Sequence, residues 1–162
     1  MPNIRLMHAK LHRFAVTGAN REYVGSITID ADLLEHVGIL PLEEVEIVNV
    51  DNGERWSTYV LPGARGSGVI APNGGGALLC EPGHLLIVYA YETKTRRDLL
   101  DSGHRARIAI GGADNRITET RIQRLDPGAD GLCFDAGGIA DPNAPSDAVS
   151  ERFAPLHEAV AS

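Results

Sequence analysis

Glu44-Val-Glu-Ile-Val-Asn-Val50, Asp51-Asn-Gly53, Arg55-Trp-Ser-Thr-Tyr-Val-Leu61: two runs rich in β-branched and aromatic residues, interleaved with polar ones, flank a short turn sequence. Apolar and polar side chains that alternate along a run suit a half-buried strand, whose successive side chains point to opposite faces. Asp-Asn-Gly between two such runs is a type I′ hairpin signal, because that turn needs residues that tolerate positive φ. The stretch predicts a β-hairpin and sets the expectation of a mainly β protein. Working outward, His12 to Thr17 and Tyr23 to Ile29 read as two more strands, separated by Gly18-Ala-Asn20. Asp30 to Gly38 reads as a short helix with Asp30 as N-cap and Gly38 as C-cap. Pro62 to Gly76 reads as a glycine-dense loop, His84 to Glu92 as a buried strand, Lys94 to Leu100 as a helical turn and Arg105 to Ile110 as a strand. So many short strands with one or two short helices predict a small closed β-barrel, since closure removes exposed edges. A sandwich fits the same pattern.

The chain has 162 residues, one domain's worth, with 43% hydrophobic and 23% charged residues, 18 glycines and 9 prolines, a globular and turn-rich composition. Its net charge of −7 is concentrated in the tail, where residues 125–162 hold seven acids against Arg152 alone. No block of Lys and Arg is present, which argues against nucleic acid and membrane surfaces as partners. Cys80 and Cys133 are too far apart in sequence for C-x-x-C zinc spacing and too few for a disulfide framework. With no apolar signal core near the N-terminus and no long apolar run, the expected location is cytoplasmic. Residues 119–162 are expected to be an irregular, partly disordered acidic extension to a domain over 1–118, with a weak helix at Ser146 to Ala154.

Common catalytic signatures are absent: no G-x-S-x-G, Walker sequence, H-E-x-x-H or G-x-G-x-x-G occurs. His8 and His12 would share a helical face, but their segment reads as strand, so no metal site is expected. The acids from Asp126 to Asp135 lack EF-hand spacing. Reactive residue types concentrate instead at Lys10, His12, Tyr23, Gly25 and Ser26, and again at Arg55, Thr58, Tyr59 and Asn73.

Met7-His-Ala-Lys-Leu-His-Arg13, Val16 to Asp30 with its Gly25-Ser26 pair, Asn49 to Tyr59, Arg65-Gly-Ser67 and Asn73-Gly74 occur in the order of the pyruvoyl-dependent aspartate 1-decarboxylase family, which residues 4–110 resemble. The resemblance implies a six-stranded double-psi β-barrel and a homotetramer with active sites between subunits. It implies conversion of L-aspartate to β-alanine and carbon dioxide for pantothenate and coenzyme A synthesis. It further implies self-cleavage between Gly25 and Ser26, leaving a covalent pyruvoyl group derived from Ser26 that binds substrate as a Schiff base, with no dissociable cofactor. The pair suits that chemistry, because a glycine carbonyl lets the next hydroxyl approach closely and can sit in a strained peptide.

On the same resemblance Arg55 and Lys10 bind substrate, Arg55 through a carboxylate suited to its guanidinium fork. Tyr59 reprotonates the carbanion and Thr58 stabilises the oxyanion of self-cleavage. Asn73, Gly75 and Gly76 line the pocket, and His12 and Tyr23 support the cleavage site. The chain departs from the family pattern at Gly75-Gly76-Ala77-Leu78, His84 and Val48. Two alternatives stay open on the sequence: a pyruvoyl decarboxylase for another acidic or small amino acid, and a non-processing barrel that serves as a binding subunit. Whether cleavage needs a maturation factor is open too.

Overall fold

A computed structural model describes residues 2–138 and 150–153. Strand β1 (Asn3–Ala15) is followed by β2 (Ser26–Asp30), α1 (Ala31–Val37), β3 (Glu44–Asn49), β4 (Arg55–Gly63), β5 (Ile70–Asn73), a 3-10 segment (Gly74–Leu79), β6 (Leu85–Thr95), α2 (Arg96–Ser102) and β7 (His104–Gly111). A 3-10 turn at Ala113–Asn115 leads into β8 (Ile117–Gly128), β9 (Gly131–Asp135) and β10 (Ser150–Phe153). The strands form one ladder in the order β10-β9-β8-β7-β1-β6-β3-β4-β2-β5. The protein is mainly β, as the hairpin predicts.

The strand count and closure differ from expectation: the described residues hold ten strands rather than six, and β5 and β10 end an open order rather than pairing with each other. Residues 16–20 run along the free side of β5, where Thr17 N donates to Ile70 O at 2.8 Å and Asn20 N to Pro72 O at 3.3 Å. The irregular tail is also corrected, since β8 runs unbroken through residues 118 and 119 and pairs with β7 and β9. On β9, Leu132 is buried at 5% exposure, apolar weight that the acidic composition hid. A strand occupies Ser150–Phe153, where a weak helix was expected; the rest of the expected tail, 139–149 and 154–162, lies outside the described residues. The expected loop over 62–76 contains the end of β4 and all of β5.

The core follows from alternation. Ala9 and Leu11 on β1, Ile27 and Ile29 on β2, Ile47 on β3, Val60 on β4 and Val88 on β6 have no solvent exposure and meet inside the sheet. Each large aliphatic side chain so buried contributes roughly 1.5–3 kcal/mol. On β1 the register slips at His8 and again at Arg13, which has φ of 63°. The second slip turns Phe14, rather than residue 13, into the core, as a β-bulge does. Helix α1 is capped as read: the Asp30 side chain accepts from Asp32 N, and Gly38 is left-handed with its N–H on Leu34 O. The hairpin turn is wider than type I′. Only Gly53 in it has positive φ, and the Asn49 and Asn52 side chains accept from the N–H groups of Asp51 and Glu54, the side-chain turns favoured by asparagine.

Candidate active site

The alternation that buries Leu11 turns Lys10 and His12 to the other face of the sheet. Across the ladder, Ser57, Glu46, Tyr89, Lys10 and Ile108 form one row, and Arg55, Val48, Ile87, His12 and Ile110 the next. Lys10, His12 and Arg55 therefore share one face, bounded on β1 by the slips at His8 and Arg13. Lys10 and Arg55 stand three strands apart, roughly 14 Å at the usual strand spacing. Lys10 Nζ lies 5.3 Å from the centre of the Tyr89 ring, within cation–π range. Burial lowers the Lys10 pKa, and burial first, then the charges of Lys10 and Arg13, lower that of His12. The Arg55 guanidinium pairs through one nitrogen with Glu46, and that hydrogen bond and charge hold its proton more firmly still. Arg55 is 61% exposed, which leaves the rest of its fork open.

A second group forms where β2 starts beside β5. Ser26 is 2% exposed and lies opposite Asn73 in the antiparallel register. Asn73 Nδ2 donates to Ser26 Oγ at 3.0 Å and to Thr28 Oγ1 at 3.1 Å, and Ser26 Oγ donates to Val24 O at 3.0 Å. Strand β4 runs parallel to β2 with Ile27 level with Val60, so Thr58 and Tyr59 are the two residues of β4 that precede the first paired position. Thr58 and Tyr59 are both half-buried. Gly25 differs from its expected strained form, because its φ is not in the left-handed region and a Cβ there would meet nothing within 4 Å. Tyr23 is 52% exposed on the loop before it. Gly75 is exposed with open space around its Cα, whereas a Cβ on Gly76 would stand 2.7 Å from Trp56 Nε1.

The fold thus brings Ser26, Asn73 and Gly25 together, brings Lys10, His12 and Arg55 onto one face, and leaves the two groups on different strands of the ladder. Glu46, Tyr89 and Thr28 join them without having been singled out by sequence. Glu46 was within reach of inference: in a hairpin that pairs Val48 with Arg55, residues 46 and 55 are diagonal neighbours on one face. Tyr89 has no such local signal, since its neighbourhood with Lys10 depends on β1 and β6, far apart in sequence, pairing with each other. Among the described residues no group of three or more His, Cys, Asp or Glu could hold a metal ion, and no helix is long and apolar enough to cross a membrane.

Residues 2–118 match the family model described as aspartate decarboxylase. The chain is 61% identical over 131 residues to the aspartate 1-decarboxylase of Crocosphaera subtropica, covering 81% of this chain and 87% of that protein. It is 56% identical over 134 residues to that of Synechocystis sp., covering 83% and 92%. With that of Bacillus subtilis it shares 47% identity over 114 residues, covering 70% and 88%.

Proposed function

The chain belongs to the aspartate decarboxylase family, and from that premise we propose that it is a self-processing enzyme that converts L-aspartate to β-alanine and carbon dioxide. The observation that carries the reading is Ser26: a buried hydroxyl directly after a glycine, oriented by Asn73, at the first residue of a strand. In self-cleavage the Ser26 Oγ attacks the Gly25 carbonyl carbon. An O–C bond forms, the Gly25–Ser26 C–N bond breaks, and the hydroxyl proton ends on the freed amine. Thr58, two residues before Val60 on β4, donates toward the oxyanion as it develops. Loss of the residue 26 Cα proton with departure of the Gly25 carboxylate, then hydrolysis that releases ammonia, leaves a pyruvoyl group. The site fits such a group: residue 26 stays anchored through the ladders of β2 with β4 and β5 after the chain is cut.

Bound there, the pyruvoyl group supplies an electron sink for the pair released as carbon dioxide leaves. Arg55 binds a substrate carboxylate through the nitrogens that Glu46 leaves free, and Lys10 adds a second cation on the same face. Tyr59 returns a proton to the carbon that lost carbon dioxide. Asn73 and the backbone at Gly75 and Gly76 close the wall, while His12 and Tyr23 support the two groups. A homotetramer in which one subunit's cationic face meets another's Ser26 assembles the whole site. The product feeds pantothenate synthesis, the work is cytoplasmic, and no nucleic acid, membrane or dissociable cofactor takes part. Release of carbon dioxide and β-alanine from L-aspartate by the purified, cleaved protein, well above release from L-glutamate, is the expected result. Folded, cleaved protein that leaves aspartate untouched overturns it.

A further inference from the structure

Within the self-processing reading, we infer that Gly74 is the positioning residue for the scissile peptide. Gly74 is buried and left-handed at φ of 62°, and a Cβ on it would stand 2.7 Å from Gly25 Cα, 3.0 Å from Gly25 N and 3.3 Å from Tyr23 O. Two independent constraints, backbone conformation and backbone approach, therefore require glycine at this position. Its N–H donates at 2.9 Å to Asn20 O, which also accepts from Tyr23 N at 3.3 Å. The Asn20 Oδ1 accepts from Glu22 N at 3.0 Å. The exposed loop 20–25 is thereby fastened at Asn20 and seated at Gly25 against Gly74.

The residue before Gly74 is Asn73, whose amide holds Ser26 Oγ. One backbone step thus fixes both partners: Asn73 aims the nucleophile and Gly74 seats the residue that carries the electrophilic carbonyl. An acyl shift gains from such fixed geometry, since a small displacement of either group loses the near-attack arrangement. After cleavage Gly25 becomes a chain end, and the contact no longer bears on turnover.

The test compares Gly74→Ala with Gly38→Ala, which places the same left-handed strain at a helix cap where a Cβ meets nothing within 4 Å. Intact-mass time courses of the purified precursors give the cleavage rate, thermal unfolding gives the cost to the fold, and decarboxylation is normalised to pyruvoyl content. Gly74→Ala is expected to slow cleavage by roughly tenfold or more, whereas Gly38→Ala, with the conformational strain alone, loses less thermal stability and cuts at the wild-type rate. At equal pyruvoyl content Gly74→Ala is expected to lose less in decarboxylation than it loses in cleavage rate. Should Gly74→Ala fail to fold, Gly74→Asn, which tolerates the left-handed conformation but still carries a Cβ toward Gly25, is expected to fold and to slow cleavage severalfold. Cleavage of Gly74→Ala or Gly74→Asn at the wild-type rate overturns the role of Gly74 and leaves self-processing intact. A wild-type chain that never cuts removes both.

Discussion

Arg55 and Glu46 show how a surface ion pair serves a site without adding much to the fold. Exposed pairs add little to stability, so Arg55→Ala is expected to change unfolding little. The same change removes a charge-assisted contact to a substrate carboxylate, and KM for aspartate should rise on the order of ten- to a hundredfold; an unchanged KM in steady-state assays removes Arg55 from the site. His12 yields a pH prediction. Its pKa is lowered in the folded chain from 6.5, so the unfolded chain binds the proton more readily and acid favours unfolding. The penalty is fully present below the folded pKa and vanishes as pH rises past 6.5. Denaturation between about pH 5 and 7 should show wild type gaining stability relative to His12→Gln. Parallel curves contradict it.

Among the elements, the turn from β2 into α1 depends on one carboxylate. Asp30 is 3% exposed and accepts from Asp32 N at 2.9 Å, Gly66 N at 3.1 Å and Gly68 N at 2.9 Å. It caps α1 and fastens the turn before β5 in the same stroke. Asp30→Ala is expected to cost about 3 kcal/mol in chemical denaturation, and a loss below about 1 kcal/mol would mean that the cap alone matters. Asp30 and Gly38 were legible because a helix cap is local chemistry, and the β3–β4 hairpin because strand alternation is local too. Strand β5 was not, since Pro72 and its glycine-rich surroundings read as loop; it is strand because it pairs with β2. Lys10, His12 and Arg55 were each visible, but their common face is a product of the β4-β3-β6-β1 order. The seating of Gly25 by Gly74 was invisible, because a missing side chain leaves no pattern.

For the whole molecule, β8 and β9 carry the sheet past the residues matched by the family model, and Leu132 on β9 is 5% exposed. Deleting 129–162 removes β9 and β10 but leaves β7 paired with β8, so cleavage and decarboxylation should survive with a lower thermal midpoint. Deleting 119–162 cuts β8 near its start and strips the partner from β7, which flanks β1 and its Lys10 and His12; that chain should lose far more stability. Equal stability of the two truncations in thermal unfolding would show that β8 has no structural weight. Every role proposed for the site follows from the chain cutting itself before Ser26. An intact-mass spectrum of the purified protein tests it most directly. A fragment ending at Gly25, together with one lighter by a single ammonia than a chain beginning at Ser26, is the predicted result; one uncut chain of 162 residues contradicts it.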